Sequence, residues 1–430
     1  MGNDSGFCMI IDSGIMANGM AIHPAGTAGL DWSPPVLNVL PTDRFLPISM
    51  TACAIPSPVT LNQQAALDPT LAYEPAPRAE PALTGDSQQL GDEFQRMLQR
   101  DEVSWEQSYD LVERIGAGGQ GVVFLADRAG AFDVKFRLAL KFFRPDGYSS
   151  IKAYRDEMAR LARVAMELAS VQQDHLLDIF NVIELRGIHV QAMEWVDGFD
   201  LRYLLTPRTL DEAREGMDPQ RWQYMNDVIV TKTSSQLRLK PGVATAILRE
   251  CLTGIAAMHR AKLVHGDLKP ANIMVKRTGN CKIIDFGSAA LEQEPTTRPL
   301  WTPRYAGVEV LEGAPHTAAS DLASLGYVFY ELLSGQFPFA DCSDGPDLVH
   351  AKRDLAAQLP DRLPKDVAQN ANLLHLLGGL IAPDPARRFA TAEAAELAPN
   401  GAAAFHRELI RSNLASEYEN ELRLWISEIE

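Results

Sequence analysis

An α+β fold, with strands gathered ahead of a helix-rich remainder, is the class this sequence predicts, and three observations carry it. Gly116-Ala117-Gly118-Gly119-Gln120-Gly121 is a turn-forming glycine run, followed at once by Val122-Val123-Phe124-Leu125-Ala126, whose β-branched and aromatic residues read as a strand. Two further short apolar runs, Leu138-Ala139-Leu140-Lys141 and Ile188 to Met193, are also strands. Beyond them the pattern turns helical, with a long helix from Gly242 to His259 and a last one from Phe405 to Ile429. No internal repeat is visible.

The elements follow in order along the chain. Residues 1–88 form a compositional zone of their own, with frequent proline, alanine and glycine, no lysine, and Arg44 and Arg78 as the only strong bases. Clusters such as Met9-Ile10-Ile11 and Val36-Leu37-Asn38-Val39-Leu40 lack a sustained period, so the zone reads as mostly disordered linker, with docking or autoinhibition as the competing reading. Residues 89–108 return to helical spacing, with Leu90, Phe94, Met97 and Leu98 on one face, and form a lead-in to the folded part. The stretch 206–241 is an insertion in which Asp218-Pro219 opens a short helix carrying Trp222, Met225, Val228 and Ile229 on an apolar face. It either covers a lobe or offers a place for a docking partner. Residues 399–430 end the chain with a stripe of Leu409, Ile410, Leu414, Tyr418, Leu422, Trp425 and Ile429, expected to dock onto the large lobe rather than to pair two copies. The sequence leaves the oligomeric state open.

Composition narrows the function classes. With 430 residues, 46% of them hydrophobic, there is material for a sizeable core. A net charge of −16 argues against nucleic acid or an anionic membrane as a general partner, because either would be repelled over most of the surface. Cys8, Cys53, Cys251, Cys281 and Cys342 show no metal-ligand spacing and suit a reducing compartment. No apolar run has the length to cross a bilayer. No basic segment precedes Phe7 to Ile11, and Gly6 stands where a myristoylation signal wants serine or threonine. Cytoplasmic residence is the expectation.

The chemistry is concentrated in His265-Gly266-Asp267-Leu268-Lys269-Pro270-Ala271-Asn272, with Asp285-Phe286-Gly287 beginning thirteen residues after Asn272. An acid beside a lysine, then an amide and a second acid, are the parts that phosphoryl transfer requires: an orienting base, a phosphate clamp and two magnesium ligands. With the glycine run and Lys141 upstream, the chain resembles the eukaryotic-type serine/threonine protein kinases over roughly residues 109–395. That resemblance implies a two-lobed kinase domain at 109–398, with a β-rich lobe at 109–193 that carries one long helix and a helical lobe at 197–398. ATP would lie between them, and Mg²⁺ would accompany it.

Residue by residue, the resemblance implies that Gly116, Gly118 and Gly121 bring backbone amides to the phosphates and that Lys141 lies over the α- and β-phosphates. A lysine among apolar strand neighbours wants an acidic partner on the following helix. Glu157, sixteen residues on, has the family's spacing; Glu167 is the alternative, rotated off that face by about 80°. Met193-Glu194-Trp195-Val196 resembles the hinge that offers backbone to adenine, with Val123, Ala139 and Met274 as the apolar sandwich. Asp200 stands where relatives bind ribose hydroxyls, although a helix start explains it almost as well. Asp267 would be the base, Lys269 would steady the transferred group, and Asn272 and Asp285 would hold magnesium.

Thr302-Pro303-Arg304-Tyr305-Ala306-Gly307-Val308-Glu309 resembles the segment that seats a peptide substrate, with Gly307-Val308 replacing the usual alanine and proline. Glu309 would pair with Arg388, and Asp321 would tie down the catalytic loop. Gly266 replaces an arginine that clamps an activation-segment phosphate, so activity should not need phosphorylation of Thr296 or Thr297. The expected reaction is γ-phosphate transfer to serine or threonine hydroxyls of a protein substrate. The alternatives are a pseudokinase scaffold and a small-molecule phosphotransferase, which shares the catalytic motif but lacks the peptide-seating segment and the equivalent of Lys269.

Overall fold

Five strands build the first lobe, with the central one buried on both faces from Leu138 to Lys141. The computed structural model describes residues 108–145, 148–292, 301–411 and 418–429, all within one unit spanning 102–430. The expected lead-in helix with Leu90 to Trp105, the zone 1–88, and Thr296 and Thr297 lie outside the described residues. Strands β1 (Tyr109–Ala117), β2 (Gly121–Ala129) and β3 (Lys135–Phe143) form an antiparallel meander. Helix α1 (Ile151–Ala169) crosses before β4 (Ile179–Leu185) and β5 (Ile188–Met193) complete a sheet of order β1-β2-β3-β5-β4. Leu138, Leu140, Val190 and Ala192 form one face of the sheet, while Phe143, on the opposite face of β3, packs with Tyr154, Met158 and Leu161 of α1.

Ser150 caps α1 by accepting from the Ala153 N–H at 3.1 Å, satisfying one of the free donors of the first turn. The Tyr154 hydroxyl accepts from the His189 N–H at 2.9 Å and donates to the Phe143 carbonyl at 3.2 Å. Helix and sheet are thereby fixed by a buried polar link as well as by apolar contact.

The second lobe begins with β6 (Gly198–Asp200) and the one-turn α2 (Leu201–Leu204). The insertion then forms α3 (Pro207–Gly216), α4 (Pro219–Val228) and a hairpin of β7 (Val230–Lys232) with β8 (Leu237–Leu239). As the sequence predicts, Asp218 caps α4, accepting from Gln220 and Arg221 N–H groups. Leu210, Met225, Ile229, Val230, Leu237 and Leu239 are buried, so the insertion covers the large lobe with its own apolar face. Helix α5 (Pro241–Arg260) is the axis of that lobe, followed by β9 (Leu263–Val264), β10 (Ile273–Lys276), β11 (Cys281–Ile283) and β12 (Ala290–Leu291).

Helices α6 (Val308–Leu311), α7 (Ala318–Ser334), α8 (Pro346–Arg362), α9 (Lys365–Ala368), α10 (Ala371–Ile381) and α11 (Ala392–Leu397) complete the lobe. Nearly every residue of α7 is buried, and a reciprocal Thr317–Ser320 capping box starts it. In the stretch of the predicted terminal helix the described residues form α12 (Ala402–Arg411) and α13 (Tyr418–Ile426), and residues 412–417 lie outside the described residues. The stretch docks: Phe405, Leu422, Trp425, Ile426 and Ile429 join the core around α5. Among the described residues no helix is long and apolar enough to cross a membrane.

Candidate active site

A cleft of about 1090 Å³ separates the lobes, and all eleven expected nucleotide residues line it: Gly116, Gly118, Gly121, Val123, Ala139, Lys141, Met193, Glu194, Val196, Asp200 and Met274. Its volume is at the upper end for small-molecule sites. The glycine turn owes its final glycine to sterics, since a Cβ on Gly121 would lie 2.1 Å from the Phe142 carbonyl oxygen, a backbone atom that cannot yield. At the hinge, the Glu194 N–H is spent on the Asp178 carbonyl at 2.9 Å, and its carboxylate meets Lys282 at 2.5 Å. The Asp200 carboxylate caps α2 through the Tyr203 N–H at 2.9 Å, so the helix-start reading is realised on a cleft-lining residue.

Lys141, on β3, departs from expectation. Its ammonium donates to Asp285 Oδ1 at 2.5 Å and to Gln120 Oε1 at 2.9 Å, and the Phe143 ring centroid is 5.1 Å away. Glu157 does face inward, buried, whereas Glu167 is exposed, as a helical period requires. Yet Glu157 does not pair with Lys141. Arg160, one turn along the same face, takes the Glu157 carboxylate at 2.7 Å and reaches the Ala289 carbonyl at 2.7 Å. A bidentate guanidinium three residues away wins over a lysine on another element.

Asp285 has a left-handed backbone (φ 61°), a conformation costly for a non-glycine residue and characteristic of functional sites. Burial raises its pKa, but the Lys141 ammonium and the Gly287 N–H outweigh that and hold the carboxyl below its ordinary value. Asn272 donates Nδ2 to the Asp267 carbonyl at 2.8 Å, which aims its amide oxygen the other way. An amide oxygen and a carboxylate are hard donors that suit magnesium, and no self-contained cluster of three or more His, Cys, Asp or Glu exists among the described residues. The residues therefore fit a metal that draws its remaining ligands from water and substrate phosphates.

The catalytic loop is fixed on both sides. Asp267 Oδ2 receives Lys269 Nζ at 2.6 Å, and Oδ1 receives the Thr302 N–H at 2.9 Å. Thr302 Oγ1 in turn accepts from Lys269 at 3.0 Å. Beneath, the buried Asp321 carboxylate accepts from the backbone N–H groups of His265 (2.9 Å) and Gly266 (3.0 Å), and it pairs with His259 at 3.0 Å. Burial pushes its pKa up, but these partners prevail and the net shift is downward. Gly266 needs its lack of a side chain: φ is +76°, and a Cβ would lie 3.1 Å from the Ser288 carbonyl.

Residues 109–398 match the family model described as the protein kinase domain. The chain belongs to that family. It is 30% identical to a serine/threonine-protein kinase drp72 of Corynebacterium efficiens, across 66% of this chain and 48% of that protein. It is 28% identical to the serine/threonine-protein kinase PrkC of Bacillus subtilis, across 66% and 39%. It is 30% identical to PknA of Corynebacterium glutamicum, across 65% and 53%. The match therefore spans roughly half or less of each of these curated relatives.

Outside the cleft, the kinase domain ties the segment from Thr302 to Glu309, expected to seat a peptide, to the large lobe. Arg388 grips Glu309 with two bonds at 2.6 and 2.7 Å, the expected pair, and also donates to the Ala319 and Ala382 carbonyls. Tyr305 donates to Glu331 at 2.6 Å, and Gln236 from the insertion hairpin donates to the other Glu331 oxygen at 2.9 Å. Lys352 is fully buried, donating to the Arg304 carbonyl at 2.7 Å with the Tyr327 ring 3.5 Å away, and burial depresses its pKa well below that of a free lysine. Sequence reasoning missed Gln120, Arg160, Gln236 and Lys352. Only Gln120 carried a signal, its position inside the glycine run.

Proposed function

We propose that this protein is a serine/threonine protein kinase that transfers the γ-phosphate of ATP to hydroxyl groups of a protein substrate. The observation that carries the reading is Thr302: its N–H and hydroxyl bind Asp267 and Lys269, so the expected base and clamp are both fastened to the segment that resembles a peptide seat. A small-molecule phosphotransferase has no use for that connection. The full complement of Lys141, Asp267, Asn272 and Asp285 in one cleft disfavours a scaffold without catalysis. The names of the bacterial relatives support the same class.

In this reading ATP lies along the hinge, with its ring between Val123, Ala139 and Met274 and its ribose near Asp200. Lys141 receives a phosphate oxygen. Asn272 and Asp285 would hold magnesium, which when bound neutralises phosphate charge. Asp267 orients the substrate hydroxyl in line with the γ-phosphorus and takes its proton as the new O–P bond forms and the bond to ADP breaks. Lys269 balances charge on the transferred oxygens. Because Gly266 leaves no arginine to clamp a phosphate, the activation segment works without phosphorylation. Free Cys251, Cys281 and Cys342 among the described residues support a reducing, cytoplasmic location.

The test is incubation with labelled ATP and magnesium plus mixed basic proteins, comparing wild type with Asp267→Asn. Label should enter protein with wild type and fall by at least about 100-fold in the variant, the scale of general-base catalysis. Equal labelling by both removes Asp267 from its role, and label in low-molecular-weight alcohols alone points to the small-molecule reading.

A further inference from the structure

Gln120 stands at the tip of the glycine turn, where its neighbours Gly118 and Gly119 have open space around them. Its backbone is pinned, since the Arg144 N–H donates to the Gln120 carbonyl at 2.9 Å and β2 begins at the next residue. Pinning there sends the side chain down into the cleft. Two separate contacts receive it. Its amide oxygen accepts from Lys141 at 2.9 Å, and its amide group rests so closely on Gly287 that a Cβ there would come within 1.9 Å of Oε1. The first contact is with the β3 lysine, the second with the glycine after Asp285-Phe286. One side chain thus bridges the roof and the floor of the phosphate end of the cleft.

An ammonium has three donor directions. Here one goes to Asp285 Oδ1 and one to Gln120 Oε1, and the Phe143 ring lies 5.1 Å from the nitrogen. A phosphate oxygen that reaches Lys141 from the side of the glycine turn meets the Gln120 amide already there. The neutral amide is the weaker one, because only the Asp285 carboxylate adds a full opposite charge to its bond with the ammonium, and Asp285 is further held by the Gly287 N–H. We infer that Gln120 is a built-in competitor of the nucleotide phosphates for Lys141, a positioning residue whose side chain swings out as ATP seats and sets the affinity for phosphate-bearing nucleotides.

The inference rests on the kinase reading, and it gives Gln120 a part that the glycines around it lack. It predicts a selective effect. Removal of the side chain should strengthen binding of ligands that carry phosphates and leave a ligand that carries none unaffected. A carboxylate at the same place should do the opposite, holding Lys141 more strongly and repelling the incoming anion.

The experiment is calorimetric titration of the full chain with ATP and magnesium, and separately with adenosine, for wild type, Gln120→Ala, Gln120→Glu and Lys141→Met. Gln120→Ala should lower the Kd for ATP about five-fold, equivalent to about 1 kcal/mol, with adenosine unchanged. Gln120→Glu should raise the Kd for ATP about ten-fold, again with adenosine unchanged. If Lys141→Met weakens ATP binding but Gln120→Ala leaves it unchanged or weaker, competition is wrong while the nucleotide site stands. If both Gln120 variants shift ATP and adenosine together, the side chain only shapes the cleft and the inference is overturned. If Lys141→Met and wild type bind ATP alike, the nucleotide assignment of Lys141 fails and the inference with it.

Discussion

Asp321→Asn is the most informative change outside the cleft, because it perturbs the catalytic loop without touching any group that meets substrate. The wild-type carboxylate is 1% exposed and accepts the His265 N–H at Oδ2 and the Gly266 N–H at Oδ1, with His259 sharing Oδ2. Asparagine retains one oxygen and turns the other into a donor. One backbone N–H therefore meets an NH₂ group, and the remaining bonds lose their charge. An orphaned buried donor costs about 1–3 kcal/mol, and weakening charge-assisted bonds adds to it, so we expect a total of about 2–4 kcal/mol. Because the damage is local, it should appear as local opening of the loop rather than as global unfolding. At 1.4 kcal/mol per decade, amide exchange in peptides covering 263–267 should accelerate about 30-fold to about 700-fold. Exchange in the small lobe should stay at wild-type values, and phosphotransfer should fall through kcat with the KM for ATP little changed. The pH dependence has a definite sign. Asp321 has a folded pKa below its ordinary value, so its contribution is complete above about pH 4 and is lost as pH falls through the folded pKa; wild type and Asn variant should converge only there. Unchanged exchange at 263–267, or acceleration spread evenly over the domain, would refute the anchoring role.

Arg388→Ala leaves the Glu309 carboxylate and two carbonyls without their buried partner and should cost about 3–5 kcal/mol, read as a lower midpoint in urea; a wild-type midpoint counts against the pair. Gln236→Ala removes the insertion's hold on Glu331, and through it on Tyr305, so KM for a protein substrate should rise by up to about 10-fold while KM for ATP stays constant. A parallel rise in both constants would show that Gln236 matters only for packing. Thr296→Ala with Thr297→Ala should leave phosphotransfer within about two-fold of wild type, since Gly266 supplies no phosphate clamp. A collapse of activity with the fold intact contradicts that.

What could be read in advance was whatever chemistry or period fixes by itself. Asp267, Asn272 and Asp285 were legible because phosphoryl transfer dictates residue type and order, and all three line one cleft. The strand after the glycine run and the cap at Asp218 were legible because propensity and capping act over a few residues. The partner of Lys141 was not. A helical period says which face Glu157 occupies, and that face is indeed buried, but the distance from α1 to β3 is a rigid-body quantity that no local pattern encodes. At that distance Arg160 is a nearer and bidentate partner, and Lys141 turns instead to Asp285 and Gln120. Gln236 was hidden for the same reason, since its target lies 95 positions away across a hairpin whose docking only the folded lobe defines. The terminal stripe is the converse case: its period was legible in the sequence, and Phe405, Leu422, Trp425 and Ile429 are buried in the core around α5 as that period requires. Side-chain partners chosen at long range are therefore where the sequence falls silent, and in this kinase domain they cluster around Lys141 and around the segment that resembles a peptide seat.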